Sequence, residues 1–206
     1  MNCRFSEVLI KKAVKYLRSR DKVLSNLIDK YGLCNFGWVG GDPFHILVSS
    51  IIGQQLSAPA ARAIRQRLLF SLKNEFFTPG NIGKLSPKHG RAAGLSRSKI
   101  GYLRGVTEAV ACGRLDINEL ADFSDEEAIS RLVEFKGIGR WTAEMFLIFG
   151  LRRLDVLSTT DAGLRRAIKI SYHLNQLPSQ KLMLTISEPW RPYRSIASWY
   201  LWRVVD

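Results

Sequence analysis

An all-α fold follows from three observations on the sequence. Apolar residues recur at helical spacing along nearly the whole chain, no convincing run alternates apolar with polar residues, and helix start signals precede several apolar runs. Asp42-Pro43 opens Phe44 to Ile52, Ser57 opens Ala58 to Leu72, and Ser96 opens Lys99 to Ala111. Ser124 with Glu127 makes a capping box before Ala128, Ile129, Leu132 and Val133. Gly32, Gly37, Gly40 and Gly41 separate an N-terminal helical pair from the first core helix, and Pro79, Gly80, Gly83, Pro87 and Gly90 mark a broken connection. The run Phe44 to Ile52 is apolar on nearly every side, which predicts a central helix surrounded by the others.

The chain has 206 residues, 46% of them hydrophobic, enough for one compact domain or two small lobes sharing a cleft. Cys3, Cys34 and Cys112 lie too far apart for a zinc ribbon, an iron–sulfur cluster or a disulfide framework, which points to a reducing, intracellular compartment. From Met1 to Leu17, Glu7, Lys11, Lys12 and Lys15 interrupt the apolar residues, so a signal-peptide core and a membrane span are both excluded there. Lysine and arginine outnumber acidic residues 31 to 18, a formal charge of +13 that attracts a polyanion. Nucleic acid is the leading partner, although charge by itself does not separate DNA, RNA and an anionic membrane. A membrane-surface protein would need an amphipathic anchor with aromatic residues opposite lysines, and none is found. Arg62, Arg65, Arg67, Arg97, Lys99 and Arg104 read mostly as solvated faces of their helices, with a minority left to touch phosphates.

The most informative stretch runs Leu132-Val133-Glu134-Phe135-Lys136-Gly137-Ile138-Gly139-Arg140-Trp141-Thr142-Ala143, between a capped helix and an apolar run ending near Gly150. Gly137 and Gly139 can adopt backbone angles closed to other residues and leave their amides open to an approaching group. At the start of the next helix such amides suit a phosphate oxygen. A tight turn between packed helices would use the same three residues Gly-Ile-Gly.

This stretch resembles the helix-hairpin-helix of a DNA glycosylase superfamily, in the alkylbase branch of 3-methyladenine DNA glycosylase II. Members carry an essential aspartate a short way past the hairpin, and Asp161 holds that place in the run Asp155 to Arg166. Ile51-Ile52-Gly53-Gln54-Gln55-Leu56-Ser57 looks like the segment that probes the duplex, and Trp190 to Arg203 looks like the final helix of the alkylbase branch. The blocks occur in the family's order from Asp42 to Arg203. Lys136 and Ser158 stand where many members have proline, and the β-domain of larger relatives is missing, so this resembles the minimal form.

The resemblance implies a two-lobed helical bundle with a helix-hairpin-helix and a cleft between lobes. In it, residues 1–41 and 115–206 form one lobe that includes the hairpin 124–150, and residues 42–114 form a central helical lobe. It implies a monofunctional glycosylase that flips an alkylated purine of the 3-methyladenine or 7-methylguanine type out of double-stranded DNA and hydrolyses its N-glycosidic bond. The product is an abasic site for base excision repair. Asp161 would be the catalytic carboxylate, stabilising positive charge on the sugar, and its place near a helix N-terminus also suits an ordinary cap. Bifunctional members have a nucleophilic lysine where this chain has Trp141.

Gln55 matches the side chain that fills the gap left by the flipped base, and its neighbour Gln54 would touch the opposite strand, unless both simply bond between helices. Lys136, Gly137, Gly139 and Thr142 complete the expected DNA contacts, with Lys136 equally readable as a solvated lysine. Trp141 and Trp202 match aromatic positions of the base pocket, whose indoles favour a cationic N-methylated purine. Trp190, Trp199, Tyr193 and Tyr200 read as core, and His45, His89 and His173 as structural or exposed. Side chains supply no metal site, and no cofactor is needed; a monovalent cation on hairpin carbonyls is compatible with the resemblance. A monomer working in the cytoplasm, nucleoid or nucleus is expected. Two alternatives remain open, a glycosylase for deaminated or oxidised bases and a non-catalytic helix-hairpin-helix module.

Overall fold

A computed structural model describes residues 7–35 and 42–205, and among these the regular structure is entirely helical, as expected. The helices are α1 (Glu7–Arg20), α2 (Lys22–Tyr31), α3 (Pro43–Gly53), α4 (Ala58–Leu72), α5 (Pro79–Gly83) and α6 (Pro87–Ala93). They continue with α7 (Arg97–Ala111), α8 (Asp125–Val133), α9 (Arg140–Met145), α10 (Ala162–Ser171), α11 (Gln180–Ser187) and α12 (Arg194–Trp202). A π-helical turn, Phe146–Gly150, continues α9. Cys3, Gly37, Gly40 and Gly41 lie outside the described residues.

The start signals are where the sequence puts them. Asp42, Ser57, Ser96 and Ser124 each accept a bond from the backbone amide three residues on, and Ser124 and Glu127 form the reciprocal box. Such caps contribute about 1 kcal/mol apiece. The connection from Pro79 to Gly90 differs from expectation, because it is two short helices. Thr78 and Ser86 act as caps, and Pro79 and Pro87 occupy the first helical position, where their missing N–H costs nothing.

The chain divides into two compact units. One comprises Gly41–Leu151. Its centre is α3, with Phe44, Ile46, Leu47, Val48, Ile51 and Ile52 all buried, packed by α4, α7, α9 and the π turn. Replacing one such leucine with alanine would cost about 2–5 kcal/mol. His45 is buried there too, accepting a bond at Nδ1 from the Phe77 amide at 3.0 Å and stacking on the Phe77 ring. His89 and His173 are exposed, in line with the reading of the histidines.

The other unit comprises Met1–Gly40 and Arg152–Asp206. Asp21 ties it together: Oδ1 caps α2 at the amides of Val23 and Leu24, while Oδ2 accepts from Tyr172 Oη at 2.6 Å and Trp190 Nε1 at 2.9 Å. Burial and the Asp21 carboxylate push the Tyr172 hydroxyl far above the ordinary tyrosine range. Trp190, Tyr193 and Tyr200 are core residues as expected, whereas Trp199 is only half-buried, with the Arg203 guanidinium over its ring at 4.7 Å.

The division corrects the expected lobes, since residues 124–150 belong with residues 42–114 and not with the termini. The reason is packing. The run Ala143 to Ile148, apolar but for Glu144, lies buried, its π turn against α3, and α8 packs on α9.

Candidate functional site

In the Gly41–Leu151 unit, residues 134–139 turn the chain from α8 into α9. Gly137 has φ +93, and a Cβ there would run into the Tyr102 ring, so conformation and space both demand glycine. Gly139 is different. It caps α9 with φ −95 and ψ 172, ordinary extended angles, and a Cβ would meet nothing within 4 Å. Gly139 caps α9 without a side-chain hydrogen bond, and the open space beside it lets an oxyanion approach this helix start. Arg140 braces this end, with a two-nitrogen bond to the Glu126 carboxylate and Nε 3.0 Å from the buried Glu144. The Arg140 guanidinium holds the Glu126 carboxyl below the usual carboxylate range. Lys136 is exposed beside the turn.

Two expected DNA contacts are relocated. Thr142 is buried, and its hydroxyl accepts from Gln54 Nε2 at 2.8 Å, so it faces the protein and not a phosphate. The same Gln54 nitrogen donates to Gly137 O at 2.7 Å. Gln54 therefore joins the α3–α4 turn to the hairpin, the bonding between helices that the sequence left open, in place of an outward contact to a second strand. Gln55 is exposed and left-handed at φ +58, at the tip of the turn between Gly53 and the Ser57 cap, and Leu56 beside it is 39% exposed. Leu56 lies in the segment likened to a duplex probe, yet a leucine before a helix start ordinarily reads as core.

In the other unit, Asp161 caps α10, accepting from the Leu164 amide, and is only 8% exposed. The same Oδ1 accepts from Trp202 Nε1 at 2.9 Å. The cap and the candidate carboxylate are thus one group, oriented from two directions. Gly163 leaves the room: a Cβ there would stand 3.2 Å from Asp161 Oδ1 and 3.5 Å from Trp202 Cδ1. The approach to Asp161 is fastened as well. Arg194 reaches Asp155 through Nε at 2.8 Å and Nη2 at 3.0 Å, and Ser195 Oγ accepts from the Val156 amide at 3.0 Å.

Trp202 was read only as a wall for a bound base, and its N–H to Asp161 gives it an orienting part the sequence did not show. Its ring remains half-buried. Trp141 is half-buried at the start of α9, in the Gly41–Leu151 unit. Chemically, the arrangement supplies a fixed carboxylate in one unit, and in the other a helix start open to an anion beside an exposed turn. Among the described residues, no group of three or more His, Cys, Asp or Glu side chains could hold a metal ion, and no helix is long and apolar enough to cross a membrane.

The sequence profile of the HhH-GPD superfamily base excision DNA repair proteins matches residues 48–192. The chain is 38% identical over 164 residues to "DNA-3-methyladenine glycosylase 1" of Schizosaccharomyces pombe, covering 79% of this chain and 72% of that protein. It is 32% identical over 198 residues to "Alkylbase DNA glycosidase-like protein mag2" of the same yeast, covering 94% and 93%. The solved structure of the Schizosaccharomyces pombe 3-methyladenine DNA glycosylase Mag1 in complex with abasic DNA superposes with a TM-score of 0.84 at 36% identity, covering 93% of this chain and 95% of that one. With the hairpin, the exposed turn at Gln55 and the anchored Asp161 in place, this chain belongs to the HhH-GPD superfamily of base excision DNA repair proteins.

Proposed function

We propose that this chain is a monofunctional DNA glycosylase that removes N-alkylated purines, of the 3-methyladenine and 7-methylguanine type, from double-stranded DNA. The observation that carries it is the Asp161 carboxylate, buried and held on Oδ1 by Leu164 and Trp202. When the bond from the sugar to the base breaks, its electron pair leaves with the base and positive charge gathers on the sugar. A carboxylate held still beforehand lowers the energy of that state without having to reorganise. Water then adds to the sugar carbon and loses a proton, leaving an abasic site.

Trp141 supports the monofunctional reading, because an indole cannot form the Schiff base that strand cleavage requires. A purine methylated on a ring nitrogen is a cation, so it stacks well on an indole and departs without prior protonation. That suits a reaction served by one carboxylate and needing no metal or redox cofactor. The names of the relatives point to the same substrate class. Such a protein works where the cell keeps its DNA, and a charge of +13 favours approach to the duplex.

The test is single-turnover base release from duplex carrying an N-methylpurine, comparing the native protein with Asp161→Asn. Release by the native protein alone, with strand breaks appearing only after alkali, is the expected result. If neither protein releases a base while both bind the duplex, the chain is a DNA-binding module and the catalytic reading falls.

A further inference from the structure

The turn between α3 and α4 is held from behind by a residue of α7. Lys99, which the sequence places on a solvated basic face, is only partly exposed, and its Nζ lies 2.7 Å from Ile52 O and 2.7 Å from Gln54 O. Both partners are main-chain carbonyls at the end of α3, where a helix leaves its last carbonyls without amide partners and its dipole favours a positive charge. One residue later the chain turns left-handed at Gln55, a conformation that a side-chain-bearing residue holds only when its surroundings fix it. Gln54 works in two directions. Its carbonyl is gripped by Lys99, while its side-chain amide grips Gly137 O and Thr142 Oγ1 of the hairpin.

We propose that Lys99 is a positioning residue for opening the duplex: its ammonium fixes the Gln55–Leu56 turn in the shape that enters the gap left by an extruded base, and through Gln54 it makes that turn one rigid piece with the hairpin. The proposal rests on the reading of the chain as a glycosylase that flips its base. Burial lowers the proton affinity of Lys99, in keeping with an ammonium set into the protein and not extended into solvent. On this arrangement the backbone of the DNA is gripped at residues 137–139, and the gap is filled at residues 55–56, by parts that cannot shift independently. Loss of the ammonium leaves the carboxylate of Asp161 untouched and frees the turn.

The test compares full-length native protein, Lys99→Met and Lys99→Arg on two duplexes, one with the N-methylpurine paired and one with it unpaired in a bulge. A 2-aminopurine beside the lesion reports unstacking. With Lys99→Met, release from the paired lesion is expected to slow about 10- to 100-fold, the size of a lost charged hydrogen bond. Because an unpaired base needs little extrusion, release from the bulge is expected to stay within about threefold of native. The 2-aminopurine rise on binding is lost, and Lys99→Arg restores part of both signals. Equal slowing on both duplexes, or none on either, overturns the proposal. If Lys99→Met does not melt cooperatively, the same ratio is read on Lys99→Gln, which keeps a donor without the charge. A native protein that releases no base overturns the glycosylase reading instead, while the 2-aminopurine signal still decides the role of Lys99.

Discussion

Trp202 holds Asp161: the indole nitrogen of the last helix lies 2.9 Å from the Oδ1 that also caps α10, across 41 residues of sequence. Trp202→Phe keeps a ring and deletes only the donor. Single-turnover release is expected to fall about tenfold, with duplex affinity unchanged, since one hydrogen bond to a charged group is lost. A rate equal to native would show that the bond does not orient the carboxylate for the reaction.

The two hairpin glycines separate folding from binding. Gly137→Ala sets a Cβ into the Tyr102 ring at a left-handed φ, and denaturant unfolding should show a loss of about 2 kcal/mol or more. Gly139→Ala meets neither obstacle, so its stability should stay within about 0.5–1 kcal/mol of native. Duplex affinity measured on the folded Gly139→Ala protein then reads backbone approach alone. Undiminished affinity would count against a phosphate at this helix start.

Thr142→Val tests the relocation of that residue. The buried hydroxyl accepts from Gln54, so its loss should cost about 1–2 kcal/mol in stability. Duplex affinity of the folded variant at moderate salt should match native. A selective loss of affinity at full stability would return Thr142 to the DNA interface.

His45 supplies a pH signature. Burial holds its imidazole below the ordinary histidine range, so the folded state keeps it neutral while the unfolded chain takes up a proton more readily. Its contribution is therefore complete above the unfolded value of about 6.5 and declines as pH falls from there. Melting temperature followed from pH 7.5 to 5 is expected to drop less steeply in His45→Asn, which retains an acceptor for the Phe77 amide but does not titrate. Identical slopes would remove His45 from the account.

Much of this was legible in the sequence because the signals are local. Caps such as Asp42 and Ser124 act within a single turn, and the hairpin and Asp161 announce themselves by residue type and order. What was not legible depends on partners far along the chain. Nothing near Gln54 or Thr142 in sequence says that they bond to each other, and the Asp161–Trp202 bond crosses two intervening helices. The lobe boundary failed for the same reason, since the burial that joins the hairpin to α3 is invisible to periodicity. The short helices α5 and α6 were misjudged because proline and glycine break long helices and also begin and end short ones.

Asp21 gives the anchoring of the carboxylate a wider reach. It fastens α2 to Tyr172 and Trp190, and it stands before the stretch 48–192 that the superfamily profile matches, as Trp202 stands after it. A protein trimmed to the shared stretch would carry Asp161 without its Trp202 bond, in a unit that has also lost the Asp21 clasp on Tyr172 and Trp190, an intact signature on a dismantled scaffold. The borders of resemblance and the borders of what can be expressed as a working piece are therefore different lines on this chain, and shortened versions should be drawn to the second.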